Sequence, residues 1–253
     1  RSTPANTVTN VTMLGGLGND LIEIFDGGNT VDNIFAAIQV FGQGGTDTLT
    51  LTDSGDGTGD TFQVTSTTID GITSNATVNP DVTFTDIVNL NVTGTGGADT
   101  INVNLGAQLD LDTVTINGSG GDDTFNLNNS TPALVDTRLN GNAGLDEFIF
   151  LNSSVLRGFI NGGADVDTID YSGYTPVVHV ALSGIGSVDG FQGLENNGSI
   201  LGTGGASLAF DNIDNLVGSA GVDTLEGPDL SNYWGITSTD ATDAGFIIAD
   251  RVA

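Results

Sequence analysis

The chain has no cysteine and no lysine, one histidine, one tryptophan, and only four arginines against 32 acidic residues. Each shortage removes a class of chemistry. Without cysteine there are no disulfides, thiol nucleophiles or thiolate metal sites. Without lysine there are no Schiff bases and no lysine-based isopeptide cross-links. A net charge of −28 argues against nucleic acid and anionic membrane surfaces as partners. The lone His179 sits in the alternating run Val177-Val178-His179-Val180 and makes no Ser/His/Asp arrangement. Enzymes that cut acidic polysaccharides need a basic residue at the sugar, for which only Arg138 and Arg157 are candidates. The chain therefore reads as a non-enzyme.

Helical patterns are missing as well. No stretch of a dozen residues keeps a 3.6-residue apolar period without Gly, Thr or Asn interrupting it, and Val31–Val40 reads as easily as a strand after a turn. Nothing approaches a transmembrane span, so membrane insertion is not expected. No signal-peptide pattern is visible, and a start at Arg1 rather than Met suits a mature or excised fragment.

What is present in quantity is glycine, 38 residues, and aspartate, 28 of the 32 acids. The two recur together. Gly15-Gly16-Leu17-Gly18-Asn19-Asp20-Leu21-Ile22-Glu23 spells G-G-x-G-x-D-x-U-x, where U is bulky and apolar. Looser copies keep a glycine, a second glycine three later, an aspartate two beyond and an apolar residue two further on. They run Gly42–Leu49, Gly94–Ile101, Gly118–Phe125, Gly141–Phe148 and Gly218–Leu225, with degenerate versions at Gly27–Ile34, Gly55–Phe62 and Gly162–Ile169. Glycine permits the positive φ of a tight corner, and aspartate turns the chain or ligates a cation.

Strict alternation flanks most copies: Thr48-Leu49-Thr50-Leu51, Thr61-Phe62-Gln63-Val64, Thr100–Leu105 and Thr124–Leu127 after them, Asn89–Val92 and Val114–Asn117 before. Period two marks half-buried strands. Outward positions are mostly Thr and Asn, which suit exposed sheet ladders. The aspartates Asp99, Asp123, Asp146 and Asp167 stand 24, 23 and 21 residues apart, Asp20 and Asp47 stand 27 apart, and the 52 residues from Asp47 to Asp99 read as two steps. A tandem calcium roll would repeat every 18 residues or so. The longer step predicts an all-β fold, a right-handed parallel β-helix (β-solenoid) of about 21–27 residues per coil. Residues 1–253 form one such domain, a segment of a longer solenoid or a stacking subunit. About eleven coils make a rod of roughly 50 Å.

Stacked corners bring like charges together, which a divalent cation relieves. In the Gly15–Glu23 loop, Asp20 with backbone carbonyls around Gly16 and Gly18 offers a hard-oxygen calcium shell. Asp122, Asp123, Asp165 and Asp167 are the further metal candidates. The alternative for all of them is an aspartate used only as a turn former on a solvated acidic surface. Tyr171, Tyr174, Tyr233 and Trp234, where exposed, would offer a polysaccharide face, but they are few and some of them read as core. Sequons such as Asn10-Val11-Thr12 and Asn152-Ser153-Ser154 are expected by chance in so Asn- and Thr-rich a chain.

The Gly15–Glu23 loop resembles the haemolysin-type calcium-binding (RTX) repeat. Asp53–Thr61 running into Val64–Thr68, Ile169-Asp170-Tyr171-Ser172 and Phe210–Gly218 are similar to segments of very large bacterial surface proteins that string such repeats together. The resemblance implies an extracellular or cell-surface β-solenoid, adhesive or structural. Thr7–Leu14 at one end and Phe246–Ala253 at the other still alternate, with no amphipathic cap, which predicts end-to-end self-association or a cut from a longer solenoid. Two functions follow from these readings. One is a structural element of a filament, adhesin stalk or matrix, with calcium optional; the other is a calcium-responsive binding or secretion module that folds on export.

Overall fold

The computed structural model describes residues 8–73, 80–106, 110–129, 135–152, 154–196, 199–201, 208–228 and 247–248. These residues form strands and turns, with no helix among them. Two sheets of eleven strands account for the fold, and neither closes into a barrel. The first takes its strands in the order Asn10–Leu17, Ala37–Gly44, Val82–Thr85, Thr68–Asp70, Thr61–Thr65, Thr100–Asn104, Thr124–Leu127, Glu147–Phe150, Thr168–Asp170, Asn215–Val217 and Ile247–Ile248. The second runs Leu21–Ile24, Thr48–Thr52, Asn89–Thr93, Thr113–Gly120, Asp136–Ala143, Leu156–Ala164, Phe210–Ile213, Phe191–Glu195, His179–Ile185 and Thr224–Glu226, with Ile200–Leu201 paired beside Leu156.

Most neighbours are parallel, and the chain alternates between the sheets. Strand Thr113–Gly120 of the second sheet pairs Asn89–Thr93 on one side and Asp136–Ala143 on the other. Strand Thr124–Leu127 of the first sheet does the same between Thr100–Asn104 and Glu147–Phe150. Register is fixed by the alternation itself, because a one-residue slip would turn every buried side chain outward. Leu49, Leu90, Val114 and Thr137 follow one another in register inward, while Thr50, Asn91, Thr115 and Arg138 follow outward. Antiparallel pairs enter in three places, at Thr61–Thr85, between 179 and 213, and where Asn215–Val217 meets Ile247–Ile248.

The inward rows of both sheets meet in one apolar core running from Ile24 to Leu216. Identical or similar side chains stack along it. Phe125 and Phe148 lie with ring centroids 4.8 Å apart and planes at 16°, and Phe150 and Tyr171 at 4.8 Å and 26°. Tyr171 and Tyr174 are buried here, so neither can belong to the exposed polysaccharide face anticipated above; Tyr233 and Trp234 lie outside the described residues. Replacing Phe125 by Leu removes one ring of the stack at nearly conserved volume. An unfolding midpoint in urea corresponding to a loss of about 1–1.5 kcal/mol is expected.

Outward, Thr and Asn link neighbouring strands by side-chain hydrogen bonds: Thr113 Oγ1 donates to Asn89 Oδ1 at 2.7 Å, Asn140 Nδ2 to Asn117 Oδ1 at 2.9 Å, and Asn126 Nδ2 to Asn102 Oδ1 at 3.3 Å.

Candidate functional site: a column of buried aspartates

The glycine–aspartate motifs are the corners where the chain crosses between sheets, and they occupy two different corners. Gly15–Asp20 and Gly42–Asp47 lead from the first sheet into the second. Gly94–Asp99, Gly118–Asp123, Gly141–Asp146 and Gly162–Asp167 lead from the second back into the first. Asp47 and Asp99 therefore do not stand two steps apart on one line. Spacing alone could not separate two corners that use the same turn.

At each corner the aspartate side chain turns inward. Asp47, Asp99, Asp123, Asp146 and Asp167 are all buried. One oxygen of each accepts the backbone N–H of the corresponding aspartate on the preceding strand. Asp60 N donates to Asp99 Oδ1 at 2.7 Å, Asp99 N to Asp123 at 2.8 Å, Asp123 N to Asp146 at 2.9 Å, Asp146 N to Asp167 at 2.9 Å and Asp167 N to Asp214 Oδ2 at 3.0 Å. A shorter line on the other corner joins Asp20 N to Asp47 Oδ1 at 2.9 Å. These bonds bridge 21–27 residues where the repeat is regular, and 39 and 47 where extra strands intervene. Each one satisfies a backbone donor that the corner would otherwise bury unpaired.

The second oxygen explains the first glycine of the motif. A Cβ on Gly42 would lie 2.6 Å from Asp47 Oδ2, and on Gly94, Gly118, Gly141 or Gly162 it would overlap the Oδ2 of the aspartate five residues on. The carboxylate fills the volume that a side chain would take. In the Gly94 corner that oxygen is satisfied, since Thr95 N donates to Asp99 Oδ2 at 2.8 Å while Thr95 Oγ1 donates to Oδ1 at 2.8 Å. At the other corners the residue after the first glycine has a left-handed backbone: φ is 75° at Gln43, 91° at Ser119, 81° at Asn142, and positive at Gly16 and Gly163. There, Oδ2 of Asp20, Asp47, Asp123, Asp146 and Asp167 is buried with no hydrogen-bond partner. A backbone carbonyl borders the same space, that of Gly141 beside Gly118 and that of Gly162 beside Gly141. A carboxylate oxygen buried without a donor is costly while charged, which favours the protonated form.

The electrostatics agree. Burial, then the charges of neighbouring aspartates, pushes the Asp123 carboxyl up to about 8 and that of Asp167 to about 8, against an ordinary 3.8. Asp146 rises to about 6 for the same reasons.

The other metal candidates are placed differently. Asp122 and Asp165 are exposed; Asp122 Oδ1 accepts Leu145 N at 2.9 Å, and Asp165 N donates to Asp189 Oδ2 at 3.2 Å. Asp122 and Asp123 thus point to opposite sides of one corner. Gly16 and Gly18 are left-handed, with φ of 104° and 122°. Gly18 N donates to Gly44 O at 2.7 Å, and its carbonyl lies against Gly45. Asp20 joins the buried line rather than facing the loop carbonyls alone. Among the described residues, no three carboxylate or histidine side chains converge to hold a metal ion. His179, on the second sheet, lies 4.0 Å from Glu226 in an exposed pair.

No family model matches the chain, and no curated protein is similar to it.

Proposed function

We propose that this chain is an extracellular or cell-surface structural protein, a right-handed parallel β-solenoid of about 21–27 residues per coil that associates end to end in a filament, adhesin stalk or matrix. The observation that carries this reading is the direction of its bonding. Strand ladders, the aromatic stack and the aspartate column all run along one axis, so cohesion is concentrated in the direction a fibre is pulled. Among the described residues the strands Asn10–Leu17 and Leu21–Ile24 each pair on one side only, beside exposed Leu14, Leu17 and Leu21. An unpaired edge with apolar neighbours is a template for another strand. The shallow outer faces of Thr and Asn suit a structural element, with a cell surface or polysaccharide as the material it contacts.

A second reading is supported by the orphaned oxygens. A module of the RTX-like kind, folding when calcium reaches its acidic corners, would place the ion where Asp20, Asp123 and Asp167 lack a donor. In both readings the chain performs no catalysis.

Negative-stain microscopy of the purified chain, with and without excess chelator, separates the two. Filaments that persist in chelator are the expected result. Single short particles that lose their shape in chelator would overturn the structural reading and favour the calcium-responsive one.

A further inference from the structure

Among the described residues, the second sheet ends in two free strands, Leu21–Ile24 on one side and Thr224–Glu226 on the other. Both edges are entered by the same turn. Gly15–Asp20 and Gly218–Asp223 each lead out of the first sheet and place an aspartate immediately before the edge strand. The two edge strands also run in the same direction, because the antiparallel pairs between 179 and 213 come as two successive reversals.

Each edge holds half of a rung. Asp20 N donates to Asp47 Oδ1 at 2.9 Å, and Val178 N donates to Asp223 Oδ1 at 2.7 Å. Asp20 has therefore spent its N–H, while its Oδ1 takes none from the described residues. Asp223 is the converse: its Oδ1 is taken, and its N–H finds no acceptor among them. One end lacks a donor and the other lacks an acceptor. The apolar core is cut off at the same two places, since Ile22 and Leu225 pack against it yet stay half-exposed.

Register joins these observations. Where Asp20 N meets Asp47, Ile22 lies opposite Leu49; where Val178 N meets Asp223, Val180 lies opposite Leu225. The same rule applied to Asp223 N and Asp20 Oδ1 sets Leu225 opposite Ile22, and core meets core.

We propose that a second copy of this chain docks its Thr224–Glu226 strand, in parallel, on Leu21–Ile24, with its Asp223 N–H donating to Asp20 Oδ1. This rests on the end-to-end reading above and names the parts that touch. The junction is heterologous: each copy uses one edge as head and the other as tail, so growth continues without closing. The first sheet offers no matching pair of edges, because its last described strand, Ile247–Ile248, runs antiparallel to its neighbour. On the outward side Glu23 and Glu226 meet as like charges, which limits the strength of the contact.

Sedimentation velocity of the full chain in excess chelator, over a series of concentrations, tests this. The wild type should form polymers. Ile22→Lys and Leu225→Lys each spoil one edge and should stay monomeric alone. Mixed in equal amounts they share one intact junction, and should form dimers and nothing longer. Asp20→Ala takes away an oxygen that accepts no N–H from the described residues, so it should raise the concentration needed for polymers about tenfold. Glu226→Gln removes one of the opposed charges and should lower that concentration about threefold. These two variants carry the test if either lysine variant fails to fold. Polymers from a lysine variant alone, or monomers only from the folded pair, would overturn the proposal and put the contact elsewhere, with the end-to-end reading intact. Unchanged assembly in both Asp20→Ala and Glu226→Gln does the same. A wild type that stays monomeric at every concentration sinks both together.

Discussion

Gly118→Ala should be among the most damaging single substitutions in this chain. Its added methyl would occupy the space that holds Asp123 Oδ2. Either the carboxylate leaves, which orphans the buried Asp99 N–H it accepts, or the corner backbone shifts against Gly141. A lost buried acceptor costs about 1–3 kcal/mol and overpacking a tight site about as much again. A loss of about 3 kcal/mol or more is expected, read as a thermal midpoint roughly 10 °C lower for a domain of this size. Gly27→Ala is the control, since its position is exposed and a Cβ there meets nothing within 4 Å. It should change the midpoint by no more than about 1–2 °C. Equal effects from the two would mean that the first motif glycine serves the turn alone and not the carboxylate.

The second large effect is on pH, and its sign is the reverse of ordinary acid denaturation. Asp123, Asp146 and Asp167 have folded-state pKa values of about 8, about 6 and about 8, against 3.8 for a free carboxyl. Each group holds its proton in the folded chain over a range where the unfolded chain has released it. The stability this contributes is complete below pH 3.8 and declines as pH rises, until the folded groups ionise, Asp146 near 6 and Asp123 and Asp167 near 8. In chelated buffer the thermal midpoint should therefore fall from about pH 5 to about pH 9, by roughly 5 °C or more. Asp123→Asn keeps an oxygen for the Asp99 N–H and has nothing to ionise, so its fall over the same range should be smaller than that of the wild type. A midpoint that climbs with pH in both would show that the column is ionised and compensated throughout.

Much of this architecture was legible in the residues. The alternating runs at Thr48, Thr61, Asn89, Thr100, Val114 and Thr124 all became strands, because period two with one apolar side has few other solutions in a glycine-punctuated chain. The all-β class and the largely parallel pairing follow from the same signals, while parallel neighbours stand 21–27 residues apart in some places and 39–47 in others. Three things were not legible. Motif spacing carries no label for which corner a turn occupies, so Asp47 and Asp99 looked collinear. The antiparallel insertions at Thr61–Thr85 and 179–213 depend on partners chosen in space, not on local pattern. Which of the four aromatics Tyr171, Tyr174, Tyr233 and Trp234 are core could not be told from local pattern; Tyr171 and Tyr174 are, stacked with Phe150.

The aspartates themselves were found as candidates, either as calcium ligands or as turn formers. Their inward turn shows only when the Gly-to-Asp spacing of five is combined with the stacking of one corner on the next. The unchanging five-residue interval in Gly42–Asp47, Gly94–Asp99, Gly118–Asp123 and Gly141–Asp146 was the available signal. A mere turn former would tolerate an insertion there. Asp53 carries no such signal, since its burial is set by Val31 from a distant part of the chain.

The column's polarity has one further consequence. Every rung offers the next the same thing it received: an N–H on one side, a carboxylate oxygen on the other. Remove a rung with its two strands, or copy one, and the flanking rungs still find matching halves. Length in such a molecule is a free variable, adjustable in whole units by duplication or deletion in the gene, with no new junction to invent. The same grammar that holds the chain together makes it a ruler whose extent selection can set.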